Sequence, residues 1–170
     1  KREPEQAIQY INEALKIAQN LHDKTGQSEC FDFLGKIHHK KVNYDSAIFY
    51  YEKALDNRLK NNDQQKVAEY YDVIAKCYFN LGDYKNSMEY NNMALILNQK
   101  TGNRKLEARI LSNIGRIYST TGDFDKAIEL YHRALKISEQ LDDGYNSALT
   151  YHRIGSIYCS IENYSKAMEY

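Results

Sequence analysis

Three cations recur at a fixed interval, Lys36, Lys76 and Arg116, and a carboxylate precedes each of the first two by one helical turn, Asp32 and Asp72. On a helix that spacing puts both charges of a pair on one face. Such a pair can support its own helix by roughly a few tenths of a kcal/mol. It can also offer ion-pairing groups to a partner. Residues in the same register extend the set. Glu29 and Glu69 lie one turn ahead of the pairs, and Phe79 lies one turn behind Lys76. Farther along come Arg109, Ser112 and Asn113 with Arg116, and then His152 and Arg153. Acids fall in the earlier part and cations in the later part. The chemistry on offer is therefore recognition, with graded charge fixing the direction of a bound segment.

Catalysis has less behind it. The 5 histidines are His22, His38, His39, His132 and His152. His38 and His39 are adjacent and point to different helix faces, a poor geometry for one metal ion. No HExxH, P-loop, GxSxG or GxGxxG segment occurs. Cys30, Cys77 and Cys159 lie far apart without a CxxC, which reads as reduced, buried thiols. No catalytic residue, cofactor or metal is assigned, and the chain is expected not to be an enzyme.

Composition narrows the partner. Lys+Arg and Asp+Glu both number 23, so the formal charge is zero. Bulk electrostatic binding of nucleic acid needs a basic excess, and none is expected here. The 16 tyrosines could stack bases between cations. Most of them, however, fall at regular positions that suit packing: Tyr44, Tyr84 and Tyr164, Tyr78, Tyr118 and Tyr158, and Tyr10, Tyr50, Tyr90 and Tyr170. No apolar run reaches the roughly 18 residues of a membrane span, so no membrane insertion by this segment is expected. No leader segment is visible, and a cytoplasmic setting is favoured.

A repeat must position these groups. LSNIGRIYSTTGDFDKAIELYHRAL at 111–135 falls on YDVIAKCYFNLGDYKNSMEYNNMAL at 71–95 and on FDFLGKIHHKKVNYDSAIFYYEKAL at 31–55. Ala14, Ala54, Ala94 and Ala134 share one column, and each is followed by leucine. Gly35, Ala75, Gly115 and Gly155 share another, with His38, Tyr78, Tyr118 and Tyr158 one turn later. Small residues let helix backbones approach, and large neighbours fill the space beside them. A fixed period of this length predicts an all-α solenoid of antiparallel helix pairs.

The expected division has the second helix of an incomplete repeat over 1–26, repeats over 27–63, 64–103 and 104–143, and a truncated repeat over 144–170, in one continuous array. Asp23 to Gly26 reads as the end of the first helix, with the next starting near Gln27. Gly82 and Gly122 read as left-handed helix ends, each followed by a capping aspartate, Asp83 and Asp123. Apolar faces near Ile8–Leu15 and Ile154–Met168 lack a capping repeat, so end-to-end self-association is expected.

The columns resemble the tetratricopeptide repeat, W-x2-L-G-x2-Y…A-x3-F…P. One copy gives Leu111, Ile114, Gly115 and Tyr118, then Ala127 and Tyr131; another gives Phe31, Leu34, Gly35 and His38, then Ala47 and Tyr51. The copy between them departs at Ser87 and Asn91, and the proline slot holds Gln19, Leu59, Gln99 and Glu139. Without that proline the second helix can run on, which accommodates a period longer than the usual ~34 residues. Long-period repeats of this kind are similar to those of LGN/Pins-type adaptors, kinesin light chains and bacterial signalling proteins.

The resemblance implies a right-handed superhelix whose concave face, lined by the first helix of each pair, holds a protein or peptide segment. The alternative is a sensory or regulatory segment of a larger signalling protein, a sensor kinase or a transcription regulator. Carried onto this chain, the face should show Glu29, Asp32, Phe33, Lys36 and His39, then Glu69, Asp72, Val73, Lys76 and Phe79. It should continue with Arg109, Ser112, Asn113, Arg116 and Ser119, then Leu149, His152, Arg153, Ser156 and Cys159. The carboxylate clamp of chaperone-binding members is matched only at Asn113 and Arg153. Asp72 reverses the sign where a lysine should grip, so chaperone C-termini are not the expected ligand.

Overall fold

The computed structural model describes residues 3–170, with side chains from Glu5 onward. Lys1 and Arg2, the lead-in to the first repeat, lie outside the described residues. The elements are all helical: α1 (Glu3–Asn20), α2 (Lys24–Lys40), α3 (Tyr44–Lys60), α4 (Gln64–Asn80), α5 (Tyr84–Thr101), α6 (Arg104–Thr120), α7 (Phe124–Gln140), α8 (Gly144–Ser160) and α9 (Tyr164–Ala167). Short turns reverse the chain after each helix, so neighbours in sequence pack as antiparallel pairs.

Two local devices set the count. The penultimate residue of each turn has positive φ: His22, Val42, Asn62, Gly82, Gly102, Gly122, Asp142 and Glu162. The residue after it is Asp or Asn every time, from Asp23 to Asn163. After α2, the Asn43 N–H donates to the His38 carbonyl and the Val42 N–H to the His39 carbonyl, each at 3.0 Å. This Schellman pattern satisfies the last carbonyls of the helix. Asn43 Oδ1 then accepts the Ser46 N–H at 3.2 Å and opens α3. The same pair of devices recurs at Asp83 and Asp123.

Asp23 likewise accepts the Gly26 N–H at 3.0 Å. The segment expected to end the first helix is therefore the first turn of the second, and α2 begins at Lys24 rather than near Gln27. Val42 is the costly member of the turn series. It is 67% exposed, so its side chain gains little burial, and its φ is 61°. A β-branched residue there loses about 1–2 kcal/mol. Val42→Gly is expected to stabilise the protein by roughly 1 kcal/mol, read as a later thermal melt by far-UV circular dichroism. An earlier melt would remove the strain assignment.

The chain divides into two compact units, Lys1–Leu97 and Asn98–Tyr170, the division falling within α5. In the first unit the core gathers Ala47, Tyr51, Ala54, Val67, Tyr70, Ile74 and Cys77 from α3 and α4. Gly35 of α2 belongs to this packing because a Cβ there would meet the Tyr51 ring at 2.6 Å. In the same register the first unit also holds Ala75, and the counterpart of Tyr51 is Asn91, fully buried. Ser87 Oγ donates to the Ala75 carbonyl and Asn91 Nδ2 donates to the Ser87 carbonyl, both at 2.8 Å. The departures at positions 75, 87 and 91 thus form one alternative packing solution.

In the second unit Ala127, Tyr131, Leu135, Ile154 and Ile157 form one cluster, and Ala108, Leu111, Ala134 and Ile137 form another. Gly115 faces Tyr131 as Gly35 faces Tyr51, with a Cβ there 2.8 Å from the ring. The tyrosine columns are packing groups. His38 stacks on Tyr50, Tyr78 on Tyr90 and Tyr158 on Tyr170, with ring centroids 5.1, 5.4 and 5.7 Å apart. Tyr10 and Tyr164 are exceptions and stand exposed.

Candidate partner-binding face

The first helices α2, α4, α6 and α8 carry the residues singled out above. In the first unit, Asp32 and Lys36 close on each other as an ion pair along α2, and the Lys36 ammonium also lies 5.5 Å from the centre of the Phe33 ring. Lys36 and Phe33 stay exposed. Glu29 is exposed but turns toward α3, where the buried Arg58 guanidinium reaches it at 3.6 Å and Asp63 at 3.4 Å. Ser28 anchors that guanidinium, accepting from Arg58 Nε at 3.0 Å and donating to the Ala54 carbonyl at 3.0 Å.

On α4, Glu69 pairs with Lys66 at 2.7 Å. Asp72 is only 2% exposed, so its carboxylate is an internal group of the wall rather than a contact surface. Lys76 is exposed, and among the described residues it has no ion-pair partner. Burial lowers the His39 pKa, and the charge of Lys76 lowers it further. Phe79 is half-buried against Tyr84, with ring centroids 5.4 Å apart.

The second unit presents a different surface. Arg109 and His152 are exposed, Asn113 and Arg116 are half-buried, and Ser112 is buried. Arg153 Nη1 donates to Ser112 Oγ, and its guanidinium carbon lies 5.9 Å from the centre of the Tyr131 ring. Burial lowers the pKa of Arg153; the nearby Tyr131 and Tyr145 hydroxyls oppose that shift, and the charge of Arg116 adds to it. Burial also lowers the pKa of Arg116. Two cations held in a wall, within each other's field, differ from hydrated surface charges.

Helical periodicity does not separate the members that contact solvent from those that support them. Asp72 and Ser112 face inward, and Tyr131, assigned to packing, lies directly behind Arg153. Cys30 and Cys77 are buried free thiols, and burial pushes the Cys77 pKa up to about 12 against the opposing charge of Lys76. Cys159, expected to be buried with them, is exposed, whereas His39, Phe79 and Ser119 in the same column are half-buried. Among the described residues no group of His, Cys, Asp and Glu could hold a metal ion, and no helix is long and apolar enough to cross a membrane.

Comparison with solved structures places this arrangement among known folds. BtubC (BKLC) from P. vanneervenii superposes with a TM-score of 0.83 at 24% identity, over 99% of this chain and 72% of that one. Aspartyl phosphate phosphatase F from Bacillus subtilis gives 0.87 at 18% identity, over 96% of this chain and 43% of that one. A STAND protein with a tetratricopeptide repeat sensor, from Pyrococcus horikoshii, gives 0.76 at 24% identity, over 91% of this chain and 24% of that one. These similarities show the fold. No curated protein sequence matches the chain. The tetratricopeptide repeat family model matches residues 1–60, 66–140 and 106–170, which together take in nearly the whole chain. With its register, its glycine–tyrosine contacts and its paired helices, the chain belongs to the tetratricopeptide-repeat family.

Proposed function

We propose that this chain is a non-enzymatic interaction scaffold that holds a protein or peptide segment against the first helices of its repeats. The observation that carries the reading is the contrast between the two sides of those helices. One side is packed with Leu34, Ile74, Ile114 and Ile154, all buried, and the other keeps Lys36, Lys76, Arg109 and His152 at the surface. Balanced charge supports a protein partner over nucleic acid, since 23 cations face 23 acids in the sequence.

The test begins with a random dodecamer peptide library panned against the chain, with bound peptides mapped by hydrogen exchange. Protection is expected on α2, α4, α6 or α8; protection confined to α3, α5 and α7 would move the site elsewhere. Because Asp72 is buried, charge reversal belongs on the exposed lysines. Lys36→Glu with Lys76→Glu is expected to weaken peptides mapped to α2 and α4 at least about fivefold, with unchanged far-UV circular dichroism. Unchanged affinity would remove both residues from the contact set.

A second reading makes the chain a sensory or regulatory segment of a larger signalling protein. It draws support from coverage: the chain spans less than half of aspartyl phosphate phosphatase F and about a quarter of the STAND protein with its repeat sensor.

A further inference from the structure

We infer that α5 is the helix at which this array opens: it detaches and re-forms locally while its counterparts α3 and α7 stay folded. This opening is independent of what binds the first helices, and its origin is what α5 turns inward.

The buried residues of α5 are Ser87, Asn91, Ala94 and Asn98. Their spacing sets them along one side of the helix, and the one apolar member is an alanine. The first three positions hold Ala47, Tyr51 and Ala54 in α3 and Ala127, Tyr131 and Ala134 in α7. Beside them α3 also buries Ile48 and Leu55, and α7 buries Leu135 and Ile137. The α5 equivalents Met88, Leu95 and Leu97 are only half-buried, and Met93 and Ile96 stand exposed. A helix in a protein draws most of its stability from packing its apolar face. The inward side of α5 has little to pack, and its aromatic anchor, Tyr90 stacked on Tyr78, is itself half-buried.

Hydrogen bonds close only part of that deficit. Ser87 Oγ reaches the Ala75 carbonyl, Asn91 Nδ2 the Ser87 carbonyl, and Asn98 Nδ2 the Asn103 carbonyl at 3.0 Å. Asn91 Oδ1 is buried and has no hydrogen-bond partner among the described residues. A buried acceptor left unpaired keeps its full desolvation cost, and it recovers a partner when the helix detaches and water reaches it. Opening α3 or α7 would instead forfeit a ring seated on a glycine, Tyr51 on Gly35 or Tyr131 on Gly115. The division between the two compact units, at Leu97 and Asn98, also falls within α5. Low local stability of this kind is what lets one helix open ahead of its neighbours.

Native-state hydrogen exchange of the 170-residue chain, read by mass spectrometry, tests this. Amides of residues 87–98 are expected to exchange at least about tenfold faster than those of 47–58 and 127–138. Low urea should accelerate them little, because a local opening exposes little surface. Asn91→Leu removes the orphaned carbonyl and should slow exchange in α5 at least about tenfold, leaving α7 unchanged. Asn91→Tyr with Ala75→Gly, which rebuilds the ring-on-glycine contact, should also slow it. Asn92→Leu makes the same change on the exposed side of α5 and should stay within about twofold of the parent, the effect of helix propensity alone. Equal protection of the three helices would overturn the inference. So would exchange in all three rising together with urea, or equal slowing by Asn92→Leu and Asn91→Leu. Failure of both Asn91 variants to slow exchange in α5 would overturn it as well.

Discussion

Tyr131→Ala is expected to destabilise the second unit by about 3–5 kcal/mol, read as a lower urea midpoint and lost amide-exchange protection in α6, α7 and α8. The ring is only 1% exposed and sits in the cluster with Ala127, Leu135, Ile154 and Ile157. It also fills the space that a side chain at Gly115 would need. That contact makes a sharper test through a double-mutant cycle. With Tyr131 present, Gly115→Ala should cost about 1–3 kcal/mol, because its Cβ would meet the ring. In the Tyr131→Ala background the clash is gone, and the same change should stabilise by about 1 kcal/mol through helix propensity. Additive effects would mean that the glycine and the ring are not packing partners.

The same glycine–tyrosine contact explains what could be read in the sequence. Spacing alone exposed the pairing of helices, because small and large columns recur only if each pair meets its partner at a constant offset. The turns were half legible. Gly82 and Gly122 stood out, but the finer period lies in the Asp and Asn residues from Asp23 to Asn163, which cap every helix that follows a turn. The same signal stands at Asp23, and Gly26 sits inside the first turn of α2 rather than after the end of α1.

The face was legible as a set of positions but not as a set of roles. Asp32 and Asp72 occupy equivalent positions, yet one pairs with Lys36 at the surface and the other is buried. Helical periodicity gives direction around a helix axis, and it does not report how closely the next helix approaches. Ser112 and Arg153 show the same limit. Their union across α6 and α8 needs two repeats in place before either side chain has a meaning.

Ala134→Trp is expected to cost at least about 3 kcal/mol, at the upper end for overpacking, because a whole indole would replace a methyl group. Ala134 is 1% exposed and lies among Ala108, Leu111 and Ile137, with Leu130 alongside. The indole would press on Ala108 and Leu111 of α6, which pack against Ala134 of α7. The repeat supplies its own control. Ala14 occupies the same column on α1 but is exposed, so Ala14→Trp should stay within about 0.5 kcal/mol of the parent. Urea unfolding of the two variants separates the causes: a shared loss of helix propensity would move both midpoints equally, whereas close approach of neighbouring helices moves only the Ala134 variant.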